Sequence, residues 1–249
     1  ALLFDLYQNP ETLPSYCKTV PDHRSEEPRN RGGQAGGSVT ALWLIPVERW
    51  LPLPVKLSQQ ESVWASGLTG GRSEQFRRSR SWLRACLSDC LGVPSQRIPL
   101  TAPPGMAPSL EPGWGHVSIS HTRDALLLGW SREAIGVDIE RADRCFNAAA
   151  LAQRFFHPED RASWTGLSSD ALRREVLRQW IGKEAAIKWQ KGSLAMDLGR
   201  WSWSHSQAHA RHPDQGLQVK LRHMTVGHWW LAIANNALEA GQTPMVCLP

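Results

Sequence analysis

Hydrophobic and polar positions along the chain follow two periodicities, which predict strands and helices in one fold. The run VTALWLIPV, which starts at Val39, is apolar and rich in strand-forming residues, so it predicts a buried strand. Over residues 72–91, apolar side chains recur at helical spacing and predict an amphipathic helix. The other face of this helix is predicted to be basic and carries Arg77, Arg78, Arg80 and Arg84.

The rest of the chain continues this mixture. After a Pro- and Gly-rich loop over residues 93–115, the runs HVSIS, ALLLGW and AIGVDIE predict three strands of a meander. AALAQRFFH and residues 170–191 predict helices, and Gly192 is expected to end the second. GRWSWSH, LQVKLRHMTV and HWWLAIAN predict three more strands, with HSQAHARH as a polar loop. The predicted fold class is therefore α/β, of the α+β type.

Composition excludes several classes of protein. A chain of 249 residues that is 41% hydrophobic can bury a core, which excludes disorder throughout, although Pro, Gly and charge over residues 1–37 predict a mobile extension. No segment approaches the roughly 18 consecutive apolar residues of a membrane span. The start of the chain does not resemble a secretory leader, and five cysteines without a CxxC pair suit a reducing compartment. We therefore expect a cytoplasmic protein.

The charge balance narrows the class of partner. A formal net charge of +5 and a sequence pI near 9.2 favour an acidic partner. Nucleic acid, a phosphorylated small molecule and an acidic protein all satisfy this condition.

Two carboxylates lie two residues apart in the predicted strand GVDIE. Asp138 and Glu140 therefore project from one face, as ligands of a hard cation such as Mg²⁺ do. In the long helix, Trp180, Glu184 and Lys188 share one stripe at spacings of four residues. Glu184 can add a third carboxylate, and Lys188 can neutralise phosphate or donate a proton. The alternatives are an exposed edge strand and an exposed Glu–Lys pair worth about 0.3–0.5 kcal/mol.

A serine and a histidine end the predicted strand HVSIS. Ser120 and His121 lie where the chain turns, and side chains at such a place can reach a ligand. The histidine can bind phosphate or act as an acid or base. A surface histidine in a turn is the alternative.

Four segments, SISHT, GVDIER, RFFHPED and WIGKEAAIKWQKG, together resemble the Sfp-type 4′-phosphopantetheinyl transferases over roughly residues 38–235. The resemblance implies a monomer of two similar α/β halves with pseudo-twofold symmetry, residues 38–135 and residues 136–249, and an active site in the cleft between them. It implies transfer of the 4′-phosphopantetheine arm of coenzyme A to a serine of an acyl, peptidyl or polyketide carrier protein, which leaves adenosine 3′,5′-bisphosphate. Such carriers are usually acidic, which suits the basic charge.

The resemblance also implies roles for individual residues. Asp138, Glu140 and Glu184 become the ligands of Mg²⁺, or of Mn²⁺ in its place. Lys188 becomes the residue that stabilises the leaving phosphate, and Lys183 supports phosphate or the carrier. The residues implied to contact coenzyme A are Arg80, Ser81, Ser120, His121, Lys183 and Lys188.

The base that takes the proton from the carrier serine is implied by RFFHPED. Glu159 and Asp160 are both candidates there, and a metal-bound water is a third. The chain departs from the family upstream, since it reads TAPPGMAPSL where the family has a G-K-P stretch with a phosphate-contacting lysine. Either Arg72 or Arg97 takes over that contact, or the contact is absent.

Two other functions compete with the transferase. A Mg²⁺-dependent phosphodiesterase would use the same carboxylates and lysine. A non-catalytic nucleic-acid-binding protein would use the basic helix face, with tryptophans as stacking platforms. The transferase interpretation instead expects coenzyme A and an acidic carrier as partners, with neither nucleic acid nor a membrane.

Overall fold

The structure, a computed structural model, describes residues 40–203, 208–238 and 246–247. The predicted mobile extension over residues 1–37 lies outside these ranges. The strands are β1 (Thr40–Pro46), β2 (Leu100–Thr101), β3 (Ser109–Leu110), β4 (His116–His121), β5 (Ala125–Ser131), β6 (Gly136–Arg141), β7 (His209–His212), β8 (Leu217–Val226), β9 (Trp229–Ala234) and β10 (Val246–Cys247). The α-helices are α1 (Gln59–Ser66), α2 (Gly71–Leu91), α3 (Ala148–Phe155), α4 (Pro158–Ala162), α5 (Ser169–Gln190) and α6 (Leu194–Asp197).

Two four-stranded sheets form the body of the fold, in the orders β10-β1-β5-β4 and β6-β9-β8-β7. In the first sheet β5 lies between β1 and β4, and in the second β9 lies between β6 and β8, with antiparallel pairing throughout these triplets. A long helix follows the first strand in each case, α2 after β1 and α5 after β6. The two halves therefore share element order and strand order, and the α/β fold class is confirmed.

Alternate residues of the strands face different layers. In β1, Trp43 belongs to the same buried cluster as Leu87 of α2, whereas Leu42 belongs to a cluster that includes Ile139 of β6. A third cluster joins α5 to the second sheet. Because neighbouring strand residues point to opposite faces, the two sheets pack against each other and the long helices cover their outer faces.

The main helix predictions are confirmed. The helices predicted over residues 72–91 and 170–191 correspond to α2 and α5. The end of α5 differs slightly, because Lys191 is the C-terminal cap and adopts the left-handed conformation with φ of 59°. Gly192, the predicted stop, follows it.

The meander prediction is wrong in its third strand. HVSIS and ALLLGW form the antiparallel pair β4–β5, but β6 pairs with β9 in the second sheet. The reason is that β1 and β4 already occupy both edges of β5. Strand β6 instead contacts β4 across the interface, where the Ser118 hydroxyl accepts a hydrogen bond from the Val137 amide at 3.0 Å.

The prediction of a strand at GRWSWSH is also wrong for residues 199–203, the part of this segment that the structure describes. Ser202 makes only an isolated bridge to Arg211, and the strand β7 forms at HARH, within the predicted polar loop. Trp201 and Trp203 are buried in the cluster beneath α5. Their apolar character therefore reflects core packing rather than a strand.

The predicted basic face of α2 does not exist as a continuous surface. Arg80 is buried, and Arg84 is buried in an ion pair with Glu61 of α1, whose Oε2 lies 2.8 Å from Arg84 Nε. Arg84 Nη1 also donates to the Ile98 carbonyl at 3.0 Å. The sequence showed the arginines, but it did not show that a partner 23 residues earlier would bury one of them.

The last described strand joins the first sheet. Strand β10 pairs in parallel with β1, so the first sheet takes chain from both sides of residue 135. The division into residues 38–135 and 136–249 stays a prediction. Across the described ranges, no helix has the length and apolar character needed to cross a bilayer.

A polar joint closes one end of the interface between the sheets. Asp124, in the β4–β5 turn, accepts hydrogen bonds from Thr122 Oγ1 at 2.8 Å and Trp229 Nε1 at 3.1 Å, and its Oδ2 lies 3.2 Å from His228 Nε2. It also forms an ion pair with Arg141 at the end of β6. Burial raises the pKa of Asp124, but these partners outweigh it and hold the pKa below its usual range.

We expect Asp124→Asn to lower the free energy of unfolding by about 1–2 kcal/mol at neutral pH, because it removes a charged acceptor from this joint. Since the pKa in the folded state lies below the unfolded value of about 3.9, the contribution is present above that value and is lost as the pH falls through the folded value. The stability difference from wild type should therefore shrink between about pH 5 and pH 2 in urea unfolding. Asp89→Asn, at an exposed position of α2, is the control, and a difference independent of pH would contradict the prediction.

Candidate active site

A hydrogen-bonded group connects the two halves. Ser120 Oγ of β4 donates to Asp138 Oδ1 of β6 at 2.6 Å. Lys188 Nζ of α5 donates to Asp138 Oδ1 at 2.6 Å and to Ser120 Oγ at 2.9 Å. Ser120 and Asp138 are both buried. Three elements drawn from both halves therefore converge on one carboxylate.

The local sequence explains this convergence. Val137 and Ile139 belong to the core between the sheets, so Asp138 points to the opposite face of β6, towards α5. At Gly136, an added Cβ would lie 1.9 Å from the Ala185 carbonyl of α5. Only glycine allows this close approach, which brings the helix onto the strand beside the carboxylate.

Two further carboxylates lie in the same region. Glu184 Oε2 lies 3.7 Å from Lys188 Nζ, and Glu140 forms an ion pair with Arg144. Burial, reinforced by the charge of Asp138, raises the pKa of Glu184 to about 8. Burial raises the pKa of Glu140 to about 7, also with a contribution from Asp138. Nearby carboxylates therefore repel one another in a poorly solvated space.

The donor set suits a divalent cation by its chemistry. Asp138 Oδ2 is buried and has no hydrogen-bond partner within the described residues, and Mg²⁺ prefers carboxylate oxygens of this kind. No group of three or more His, Cys, Asp or Glu side chains in the described ranges already stands in a metal-holding arrangement. The Lys188 ammonium lies within 3.7 Å of both Asp138 and Glu184. In this structure the lysine is therefore the counter-ion of these two carboxylates.

A cavity of about 610 Å³ opens beside this group, between α2, β4 and the end of α5. The described residues that line it include no carboxylate. Its basic lining residues are Arg72, Arg80, His121, Lys188 and Lys191. Such a cavity, called here the cationic cavity, suits a ligand with several phosphate charges.

Arg80 is held firmly at the wall of this cavity. Its Nε donates to the Ala102 carbonyl at 2.9 Å, its Nη1 donates to Ser79 Oγ at 3.0 Å, and its guanidinium stacks 4.4 Å from the centre of the Phe76 ring. Burial lowers the pKa of Arg80 to about 10, so the group stays charged at neutral pH. Burial, and then the charge of Lys188, lower the pKa of His121.

The structure brings most of the expected residues together and separates four of them. Ser81 is fully buried and bonds through its hydroxyl to the Val55 backbone, so Ser79 lines the cavity in its place. Lys183 is also fully buried, and its Nζ lies 2.8 Å from Asp160 Oδ2. This ion pair joins α4 to α5, so each of the two side chains already has a structural partner.

Glu159 is the remaining candidate base, and its side chain is 90% exposed. Neither Glu159 nor Asp160 lines the cationic cavity. Of the two arginines considered for the missing upstream lysine, Arg72 lines the cavity and Arg97 does not. The sequence prediction missed Lys191, the C-terminal cap of α5, which also lines the cavity.

Comparison with known proteins bears directly on this site. Residues 134–235 match the model of the 4′-phosphopantetheinyl transferase superfamily. The matched segment contains the carboxylates at 138, 140 and 184 and the lysine at 188, whereas Arg80 and the SISHT segment precede it. Among curated proteins, none matches the chain.

The match agrees with the predicted resemblance at the level of the superfamily, over residues 134–235. Phosphopantetheinyl transferases use coenzyme A as a substrate and typically need a divalent metal. The α/β architecture described above agrees with this assignment. The Sfp-type subgroup stays a prediction.

Proposed function

We propose that this phosphopantetheinyl transferase domain moves the 4′-phosphopantetheine arm of coenzyme A to a serine of a carrier protein, leaving adenosine 3′,5′-bisphosphate. One observation carries the proposal: Lys188 lines the cationic cavity and its Nζ lies 2.6 Å from Asp138 and 3.7 Å from Glu184, so phosphate-binding and metal-binding chemistry adjoin. Coenzyme A carries a pyrophosphate and a 3′-phosphate, which require both kinds of group.

Each residue has a distinct task in this proposal. Arg72 and Arg80 bind phosphates of the nucleotide, with His121 at the rim. Asp138, Glu140 and Glu184 hold Mg²⁺, for which Mn²⁺ is an alternative. When bound, the metal supplies Lewis acidity towards the pyrophosphate.

Lys188 has the most direct chemical role among the described side chains. With a metal held by the carboxylates, Asp138 no longer needs the ammonium as its counter-ion, and Lys188 is free to contact the leaving phosphate. The carboxylates of Asp138 and Glu184 outweigh burial and raise the pKa of Lys188. A lysine with its ordinary pKa is also protonated at neutral pH, so the residue approaches phosphate as a cation.

The carrier serine also needs a base. Glu159 is the side chain we propose for this task, because Asp160 is engaged by Lys183. An acidic carrier in the cytoplasm and a monomeric enzyme complete the proposal, and the basic charge of the chain supports the choice of an acidic partner.

The test is intact-protein mass spectrometry of an apo carrier protein incubated with the full chain, coenzyme A and Mg²⁺. We expect a mass gain of one phosphopantetheine arm, and we expect EDTA to prevent it. Carriers from fatty acid, polyketide and nonribosomal peptide synthesis are tested in parallel. No gain with any of them would count against the proposed transfer.

A Mg²⁺-dependent phosphodiesterase would use the same carboxylates. Binding of coenzyme A is therefore the measurement that distinguishes the two functions. The transferase should bind coenzyme A with an affinity that falls as salt rises, because four basic side chains and a histidine line the cavity. The nucleic-acid-binding alternative loses its main support, since Arg80 and Arg84 are buried.

Lys188→Ala should slow the transfer step more than it weakens coenzyme A binding. We expect kcat to fall about a hundredfold, because the lost ammonium acts on charge that develops in the transition state. The Kd for coenzyme A, measured by calorimetry, should rise less than about tenfold.

Lys191→Ala is the matched control, since this lysine lines the same cavity, whereas Lys188 is the lysine that pairs with Asp138 and Glu184. It should weaken binding without a comparable loss of kcat. If both variants lose affinity and turnover equally, Lys188 has no special role in the transfer step.

A further inference from the structure

A second cavity of about 860 Å³ adjoins the cationic cavity, and we call it the aromatic cavity. It lies between the end of α2, the loop that contains β3, and the start of β4. Its apolar walls are formed by Leu91, Val93, Leu110, Trp114 and Trp130. The cavity is larger than its neighbour, and its charged or titratable lining residues are Glu111, His116, Arg132 and Lys191.

The sequence builds the aromatic wall specifically. Trp130 Nε1 donates to the Trp114 carbonyl at 2.8 Å, which holds the buried indole against the loop. Between the two lies Gly115, with φ of +84°, where an added Cβ would lie 2.7 Å from Trp130 Nε1. Glycine is required for this conformation and this approach. The wall is therefore a fixed part of the fold.

The two cavities are neighbours and share part of their lining. Pro108, Val117 and Lys191 line both of them. Val117 lies three residues before Ser120 on β4, which corresponds to roughly 10 Å along a strand. The amide units and methylenes of a pantetheine arm extend for roughly 15 Å at ordinary bond lengths. An arm that begins at the carboxylate site can therefore reach the aromatic cavity.

We propose that the aromatic cavity holds the acyl group of an acylated coenzyme A, so that the chain prefers medium-chain acyl-coenzyme A thioesters to free coenzyme A. This inference rests on the proposed function, because it places the phosphates in the cationic cavity. The nucleotide end is assigned there, where the basic side chains lie. The other end of the molecule is neutral, and apolar walls favour methylene groups over the polar amides of the arm alone.

The test is calorimetric titration of the full chain with coenzyme A, acetyl-coenzyme A, hexanoyl-coenzyme A and octanoyl-coenzyme A. We expect the Kd to fall with chain length and to reach at least about a tenfold advantage for the octanoyl thioester over free coenzyme A. A single apolar cavity should also make the gain level off once the chain fills it.

Filling the cavity provides the specific control. Val93→Trp and, separately, Leu110→Trp should collapse the ratio of the two Kd values towards one, because the new indole occupies the acyl space. Val63→Trp, at a position on α1 that is 59% exposed and outside both cavities, should retain the ratio of the wild type. Circular dichroism identifies a variant that does not fold. If one of the two filling variants fails to fold, the other still tests the acyl site.

The outcomes separate this inference from the proposed function. If coenzyme A binds but acylation gives no gain, the acyl site is wrong and the proposed transfer stands. If the gain survives both filling variants, the acyl group lies elsewhere and the inference is overturned. If no coenzyme A compound binds, both proposals fall.

Discussion

Asp138→Asn is expected to reduce phosphopantetheine transfer about a thousandfold, the largest loss of activity that we predict for a single substitution. The change removes one negative charge from the three carboxylates while it keeps an oxygen that can accept from Ser120 and Lys188. The rate is measured from the mass gain of the carrier protein at saturating coenzyme A. The loss should be greatest at limiting Mg²⁺.

Asparagine is preferred to alanine because Asp138 is only 3% exposed and holds the Lys188 ammonium. Alanine would leave that cation without its closest partner, and a loss of stability would then accompany the loss of activity. Asp143→Asn is the control, because its side chain is 61% exposed and forms an ion pair with Arg141 away from the three carboxylates. Transfer by Asp138→Asn within tenfold of wild type would remove this carboxylate from the metal site.

Glu61→Ala is expected to lower the free energy of unfolding by about 3–5 kcal/mol, the largest loss of stability that we predict. Glu61 is 1% exposed, and its two oxygens lie 2.8 Å and 3.0 Å from Arg84 Nε. It also closes the capping box of α1 with Ser58. Alanine therefore leaves a buried guanidinium without its counter-ion and the Ser58 amide without its acceptor.

Urea unfolding followed by circular dichroism measures this loss. Glu74→Ala provides the control, because it removes an exposed Glu–Arg pair from α2 and should cost less than about 1 kcal/mol. The double variant Glu61→Ala/Arg84→Met should recover much of the stability, since it removes the unpaired charge. If Glu61→Ala and Glu74→Ala lower the free energy of unfolding equally, the Glu61–Arg84 ion pair is not buried, and this prediction is wrong.

Much of the fold could be predicted because periodicity directly encodes which faces are buried. The apolar spacing of α2 and the continuous apolar run of β1 were sufficient to place these elements. The partner of β6 could not be predicted in this way, because all three runs after residue 115 have the same local pattern. Only the occupied edges of β5 decide that β6 leaves the sheet.

The candidate site shows a similar division. Asp138 and Glu140 could be assigned to one face from strand geometry, and Glu184 and Lys188 to one helix stripe. The burial of Ser81, Arg84 and Lys183 could not be predicted, because each depends on a partner distant in sequence. A polar residue can be assigned a functional role only after the fold has shown whether its side chain already has a partner inside the protein.

The short connection between β5 and β6 has a consequence for how the site survives thermal motion. Residues 132–135 are all that separate the two strands, so Ser120 on one sheet and Asp138 on the other are tethered closely. A tether of this length keeps the sheets at a high effective local concentration even when their interface opens. Transient opening would break the contact of Ser120 with Asp138 and Lys188 without unfolding either sheet, and reclosure would restore it. Cleavage of the backbone within residues 132–135 should therefore make the activity depend on protein concentration, because Ser120 and Asp138 would then lie on separate fragments.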